Sequence, residues 1–113
     1  MVFIKPCEIN TDKCSAAFEA LEGEKKIGTC CLLIKDNTAD IFYSELLTDD
    51  VSIGEGLFRS AYNYAANKGI YMGSCSAENA QPIIKRMNFE LHDGLYINDI
   101  PSLLMGSCCE FDK

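Results

Sequence analysis

Three places in this chain carry residues able to do chemistry: Glu45, the run Ser74-Cys75-Ser76, and the turn Ser52-Ile53-Gly54-Glu55-Gly56. Cys75 could serve as a reactive thiol or a proton donor. A thiol reacts as its thiolate and needs a nearby cation or His to ionise, and the sequence places none beside it, so a buried strand-end cysteine is the competing reading. Ser74 and Ser76 could polarise a carbonyl group. Glu45 could accept a proton from an amine, or stand as a solvated residue on an alternating strand. The turn suggests different chemistry, because backbone N–H groups at a helix start lack partners and lie at the positive end of the helix dipole, where phosphates bind. A nucleotide or coenzyme ligand follows as a hypothesis. Against it, Ser52-x-x-Glu55 has the spacing of a capping box, which would close those donors with the protein's own side chains.

Other reactive types give less. His92 is the only histidine, and it sits at a turn, where a solvent-exposed role is expected. Tyr62 and Tyr64 fall on a helix and read as packing residues. The seven cysteines include the adjacent pairs Cys30-Cys31 and Cys108-Cys109. Neighbours on a strand point to opposite faces, so Cys30 and Cys31 cannot share one ion without a bulge. With a single His and no C-x-x-C, no metal site is expected. Reduced thiols, mostly buried, fit a reducing compartment. Cys108 and Cys109 could be exposed near the terminus and open to oxidation, or could pack under Phe111.

The bulk properties limit the function classes. A chain of 113 residues, 24% charged and 48% hydrophobic, supports one soluble domain over residues 1–113 with one core. A net charge of −7 argues against nucleic acid and anionic membranes as partners. No apolar run could span a bilayer, and the first residues lack a signal-peptide cleavage site, so a cytoplasmic protein is expected.

The positioning elements follow from periodicity. Met1–Ile4 reads as an edge strand stopped by Lys5-Pro6, and Ser15–Glu22 as a second strand. Lys26–Lys35 is apolar on both faces, as a covered central strand would be. The turn Asp36-Asn37 leads into Thr38–Leu47, giving a three-stranded antiparallel meander. A helix then shows an apolar stripe of Ile53, Leu57, Phe58, Ala61 and Ala65 opposite a polar stripe of Glu55, Arg59, Asn63 and Asn67. Lys68-Gly69 should end it. Ile70–Cys75 is a strand parallel to Thr38–Leu47, because a helix joins the two. A short helix over Asn79–Met87, capped by Asn79 or Gln81, precedes a hairpin of Phe89–His92 and Leu95–Ile97, and Asp99-Ile100-Pro101 starts another helical turn closed by Gly106.

This order resembles the GCN5-related N-acetyltransferase (GNAT) family from about Ser15 to Ile97. The likeness is best in Gly54-Glu55-Gly56-Leu57-Phe58-Arg59-Ser60-Ala61, similar to that family's glycine turn and the helix behind it. Ile84-Lys85-Arg86-Met87-Asn88-Phe89 is similar to its tyrosine-to-glycine-phenylalanine signature. The resemblance implies a mixed α+β fold with a mostly antiparallel central sheet, one parallel strand pair at a splay and two main flanking helices. Here the usual N-terminal helix pair is missing, since only Lys5–Cys14 fills its place. It also implies acetyl-CoA as a substrate, transfer of the acetyl group to an amine, pyrophosphate on the N–H groups of Ser52, Ile53, Gly54, Glu55 and Gly56, and pantetheine beside the main chain of Leu46 and Leu47. Catalysis would rest on positioning and strand N–H groups, with Glu45 and Cys75 as side-chain candidates. Several slots differ from the family. Asp49, Ser52 and Gly54, or Val51, Gly54 and Gly56, stand where a cation or amide and two glycines are usual, Ile84 replaces the tyrosine, and Asn88 replaces the glycine. The alternative is therefore a catalytically degenerate binding or interaction module. A homodimer could cover the face left open by the absent helices.

Overall fold

The computed structural model describes residues 2–7 and 14–105. The elements run β1 (Val2–Cys7), β2 (Ala16–Glu22), β3 (Lys25–Lys35), β4 (Thr38–Leu46), α1 (Val51–Asn67), β5 (Met72–Cys75), α2 (Gln81–Ile84), β6 (Glu90–His92), β7 (Leu95–Asp99) and α3 (Ile100–Met105). Seven strands form one sheet in the order β1-β2-β3-β4-β5-β7-β6. Among the described residues only β4 and β5 pair in parallel, as expected for strands joined through a helix. This is the mixed α+β architecture anticipated above.

Local chemistry explains the connections. Asp36 and Asn37 both have positive φ, 53° and 64°, the conformation a two-residue hairpin requires and these residue types tolerate. Gly69, with φ 86°, ends α1: its N–H donates to Ala66 O at 2.9 Å and Ile70 N–H to Ala65 O at 3.0 Å, a Schellman pair. Asp99 begins α3, accepting from Ser102 N and Ser102 Oγ, each at 2.9 Å.

Four local expectations need correction. β1 runs through Lys5 and Pro6 to Cys7, with Pro6 opposite Phe18; on the outermost strand a proline needs no ladder bond from its nitrogen. Helix α2 is only Gln81–Ile84, and neither Asn79 nor Gln81 caps it, because Ala80 holds the cap position without a side-chain bond. Glu55 is not on a solvated stripe but buried, 5% exposed. The capping box does not form, for reasons given with the site. Segment 8–13, Gly106 and the Cys108-Cys109 pair lie outside the described residues.

The core lies between the sheet and α1, where Leu57, Phe58 and Tyr62 meet Leu32 and Ile41, with Ile100 and Leu103 of α3 closing one end. Strand alternation sets which side chains face it. Leu46 packs toward Gly28 and Gly54, and a Cβ on Gly73 would meet Tyr62, so these positions face α1. Their neighbours Glu45, Leu47 and Met72 face the other way. On that second face Phe3, Tyr43, Leu47 and Met72 are exposed. Among the described residues, α2 and α3 both pack beside α1 and leave that face without a helix.

Candidate functional site

The parallel pair is short. Its register runs from Thr38 opposite Met72 to Ile41 opposite Cys75 and stops there. Ile41 O accepts from both Ser76 N at 2.9 Å and Ala77 N at 3.2 Å, which turns the chain away from β4. β4 continues to Leu46 without it. A bulge adds to the divergence: Cys31 faces Tyr43 while Leu32 faces Ile41, leaving Phe42 as the extra residue and increasing the local twist. The two strands therefore part as a wedge.

Alternation on β4 decides which main-chain groups line the wedge. Leu47 N–H donates to Ile27 O at 2.8 Å, so positions 43, 45 and 47 turn their peptide groups to β3. Ser44 and Leu46 turn theirs outward, where β5 has already ended. Two hollows occupy the space. One, about 420 Å³, is lined on β4 by Tyr43, Ser44 and Glu45 and across from it by Ser76, Glu78 and Asn79. The other, about 340 Å³, lies toward the start of α1 and is lined by Leu46, Thr48, Asp49, Val51, Asn79 and Ile83 among others. Asn79 borders both. Among the described residues no Lys or Arg lines either hollow, whereas Glu45, Glu78 and Asp49 do.

The start of α1 is closed by Asp50, not by Ser52 and Glu55. Asp50 Oδ1 accepts from Ser52 N at 3.1 Å and Ser52 Oγ at 2.6 Å, and Asp50 O accepts from Ile53 N at 3.1 Å. A helix has one N-cap, and the aspartate two residues earlier takes it. These Ser52 bonds, helped by the charge of Arg86, hold the Asp50 carboxyl below its usual pKa. Glu55 faces inward instead, with Arg86 Nε 3.1 Å and Arg59 Nε 3.5 Å from its carboxylate. Both glycines of the turn have packing reasons. A Cβ on Gly54 would lie 2.5 Å from Ile83 Cδ1, and one on Gly56 would lie 2.7 Å from Ile4 Cδ1.

The site residues singled out in the sequence thus separate into two groups. Glu45 and Leu46 line the hollows, and Gly54 packs directly behind Leu46 and Ile83. Ser52 and Ile53 lie in the first turn under the Asp50 cap. Leu47 is solvent-exposed with its N–H engaged on β3. Cys75 lines neither hollow: it is buried, and burial pushes its thiol up to about 11 despite a bond from the Ala77 backbone, so it stays protonated at neutral pH. Ile84, in the slot a tyrosine holds in the resembled family, is buried in the core. His92 is exposed and pairs with Glu90 at 3.0 Å. No group of three or more potential ligands for a metal ion occurs among the described residues.

Sequence reasoning missed Asn79, Glu78 and Asp40. Asn79 was legible in part, since it follows the carboxyl end of a strand with a parallel neighbour, the end where open α/β sheets place ligands. Asp40 accepts from Ser74 Oγ at 2.8 Å and Ser76 Oγ at 2.6 Å, a pairing invisible before β4 and β5 are set side by side.

Comparison with known proteins gives the class of fold. No protein-family model matches the chain, and neither does any curated protein. Solved structures do. The ribosomal-protein-S18-alanine N-acetyltransferase from Escherichia coli superposes with a TM-score of 0.65 at 11% identity, over 88% of this chain and 94% of that one. An acetyltransferase from Bacillus subtilis in complex with CoA gives 0.58 at 14% identity, over 88% and 94%. YhhK from E. coli, bound to coenzyme A, gives 0.62 at 11% identity, over 84% and 79%. The chain has the GNAT-like fold of these acetyltransferases.

Proposed function

We propose that this protein is an acetyl-CoA-dependent N-acetyltransferase, with coenzyme A thioester as its ligand and an amine as the acceptor. The observation that carries the reading is the wedge between β4 and β5, where Ser44 and Leu46 present main-chain groups to a hollow that no strand fills. A pantetheine arm is an extended chain with two amides, and it would pair with such an edge as a missing strand would. Leu46 would border it, Leu47 would contribute only its exposed side chain, and Asn79 could bond an amide from the opposite wall. The phosphates would lie at the start of α1, over Ser52, Ile53, Gly54, Glu55 and Gly56. There the Asp50 carboxylate occupies the position an anion takes at a helix start, so it must rotate away to free Ser52 N–H. Transfer would depend on holding the thioester against the amine and on N–H groups facing its carbonyl oxygen. Glu45, which lines the hollow, is one candidate side-chain base, and the buried Cys75 would act only through packing. Cytoplasmic residence and a homodimer covering the exposed sheet face belong to the same proposal.

The Asp50 cap gives a test that loss of folding cannot imitate. Asn caps a helix as well as Asp does, so Asp50→Asn keeps the bond to Ser52 N and removes the charge. A carboxylate beside a phosphate opposes it, most strongly at low ionic strength. Calorimetric titration should show coenzyme A binding the native chain, and binding Asp50→Asn about five-fold more tightly at low salt. No heat from either protein at millimolar coenzyme A would remove the coenzyme reading.

The same cap favours a second reading, a binding or interaction module without catalysis. Asp50 already satisfies the helix start, and Ile84 offers no proton where a tyrosine is usual. Amine-dependent release of coenzyme A from acetyl-CoA separates the two readings.

A further inference from the structure

We propose that Ser76 and Asp40 form a proton relay at the apex of the wedge, with Ser76 Oγ taking the proton from the attacking amine and Asp40 taking the proton from Ser76. The proposal rests on the acetyl-transfer reading of the same hollow. Ser76 lines the hollow of about 420 Å³ directly beyond the last paired position of β4 and β5. Its hydroxyl donates to Asp40 Oδ2 at 2.6 Å, within the usual range for a hydroxyl on a carboxylate oxygen. Because the serine proton points at Asp40, the remaining lone pairs on Oγ are left as acceptors. Ser74 Oγ, buried on the same face of the sheet, donates to Asp40 Oδ1 at 2.8 Å. Asp40 is thereby fixed by one serine and aimed at the other, the arrangement of a base held by a third group.

Glu45 is another group on this hollow able to take the amine proton, and the relay differs from it in lying at the apex, where the paired strands end. Ile84 has no proton to give, Cys75 is closed off in the core, and the main-chain donors of β4 can polarise a carbonyl but cannot accept a proton. In the step itself, the lone pair of a neutral amine forms a C–N bond to the thioester carbonyl carbon. One N–H proton moves to Ser76 Oγ as the serine hydroxyl proton moves to Asp40 Oδ2. The tetrahedral intermediate then collapses: the C–S bond breaks, its electron pair leaves with the sulfur, and the proton held by Asp40 returns through solvent to give the free thiol. The products are an amide and coenzyme A, with no change in oxidation state. Ser76 is the catalytic residue of this step, and Asp40 is the positioning residue that acts through it.

A purely structural role is the competing account, since two serines on one aspartate would also fasten β4 to β5. The two accounts predict different rank orders. Thiol release from acetyl-CoA, with simple primary amines and lysine-containing peptides as probes, should fall about 100-fold or more in kcat for Ser76→Ala and for Asp40→Asn, with the affinity for coenzyme A within two-fold of native. Ser76→Thr restores a hydroxyl and should recover most of the rate. Ser74→Ala removes an equal bond to Asp40 but no group on the hollow, and should lose clearly less than Ser76→Ala. Equal losses in Ser74→Ala and Ser76→Ala, or full kcat in Ser76→Ala, would overturn the relay. So would a native protein that binds coenzyme A yet releases thiol no faster than Ser76→Ala. Failure of the native protein to bind coenzyme A would instead overturn the reading on which the relay rests.

Discussion

Tyr62→Ala is expected to lower the free energy of unfolding by about 3–5 kcal/mol, the range for removing a large buried ring. Tyr62 is fully buried and ties three parts of the fold together. Its ring meets Phe58 edge-on at 6.0–6.4 Å spacing shared with Phe89, 6.4 Å and 6.0 Å between centroids respectively. Its hydroxyl donates to Ser74 O at 2.5 Å, on the strand that forms one wall of the wedge. Gly73 is small because of this ring, since a Cβ there would lie 2.9 Å from Tyr62 Cε1. Truncation leaves a cavity under β5 and one buried carbonyl short of a donor. Tyr62→Phe keeps the ring and should cost only about 1–2 kcal/mol. Urea unfolding checks both: the midpoint should fall in that order with the slope unchanged. An Ala variant as stable as Phe would show that the ring does not organise the core.

Alkaline pH should produce the second large effect. Burial raises Cys75 to about 11 and Cys31 to about 12 from the usual 9.0, and pushes Cys30 higher still. Tyr62 is raised by burial in the same direction. Below pH 9 both folded and unfolded chains hold these thiol protons, and their contribution is fully present. Above pH 9 the unfolded chain loses the protons while the folded one keeps them, so stability falls as pH rises. One pKa unit corresponds to about 1.4 kcal/mol per group, and Cys30 and Cys75 together lose on the order of 2 kcal/mol between pH 10 and 11. Unfolding midpoints at pH 8, 9, 10 and 11 measure the slope. Replacing Cys30 and Cys75 with Ala should flatten it, and an unchanged slope would place those thiols in contact with solvent.

What could be read from the sequence was set by local rules. The Asp36-Asn37 hairpin and the Lys68-Gly69 helix end each depend on two or three adjacent residues, and both formed as the residue types demand. Strand order followed because short connections force antiparallel neighbours and a helix between strands forces a parallel pair. The misreadings have a common physical cause, competition from partners distant in sequence. Glu55 looked like a solvated residue or half of a capping box, but Arg86, 31 positions away, meets its carboxylate in the interior. Pro6 looked like a strand stop, yet an edge position frees it from that duty.

The site followed the same division. Glu45 and Leu46 were legible because they sit on the strand entering the glycine turn. Asn79 bordered both hollows only once β5 had turned away from β4. Asp40 and Ser76 are 36 positions apart, and no spacing rule links them. The Ser52-x-x-Glu55 spacing pointed to Ser52 as the cap, and Asp50, two residues earlier and equally suited by type, took the position.

Backbone amide NMR during titration with coenzyme A tests most directly whether the wedge between β4 and β5 is the coenzyme site. The expected result is saturable shift of the Ser44, Leu46, Ser76 and Asn79 amides together with those at the start of α1, while β6 and the exposed sheet face around Phe3 stay still. Saturable shifts confined to other parts of the sheet, or none at millimolar coenzyme A, would contradict the account.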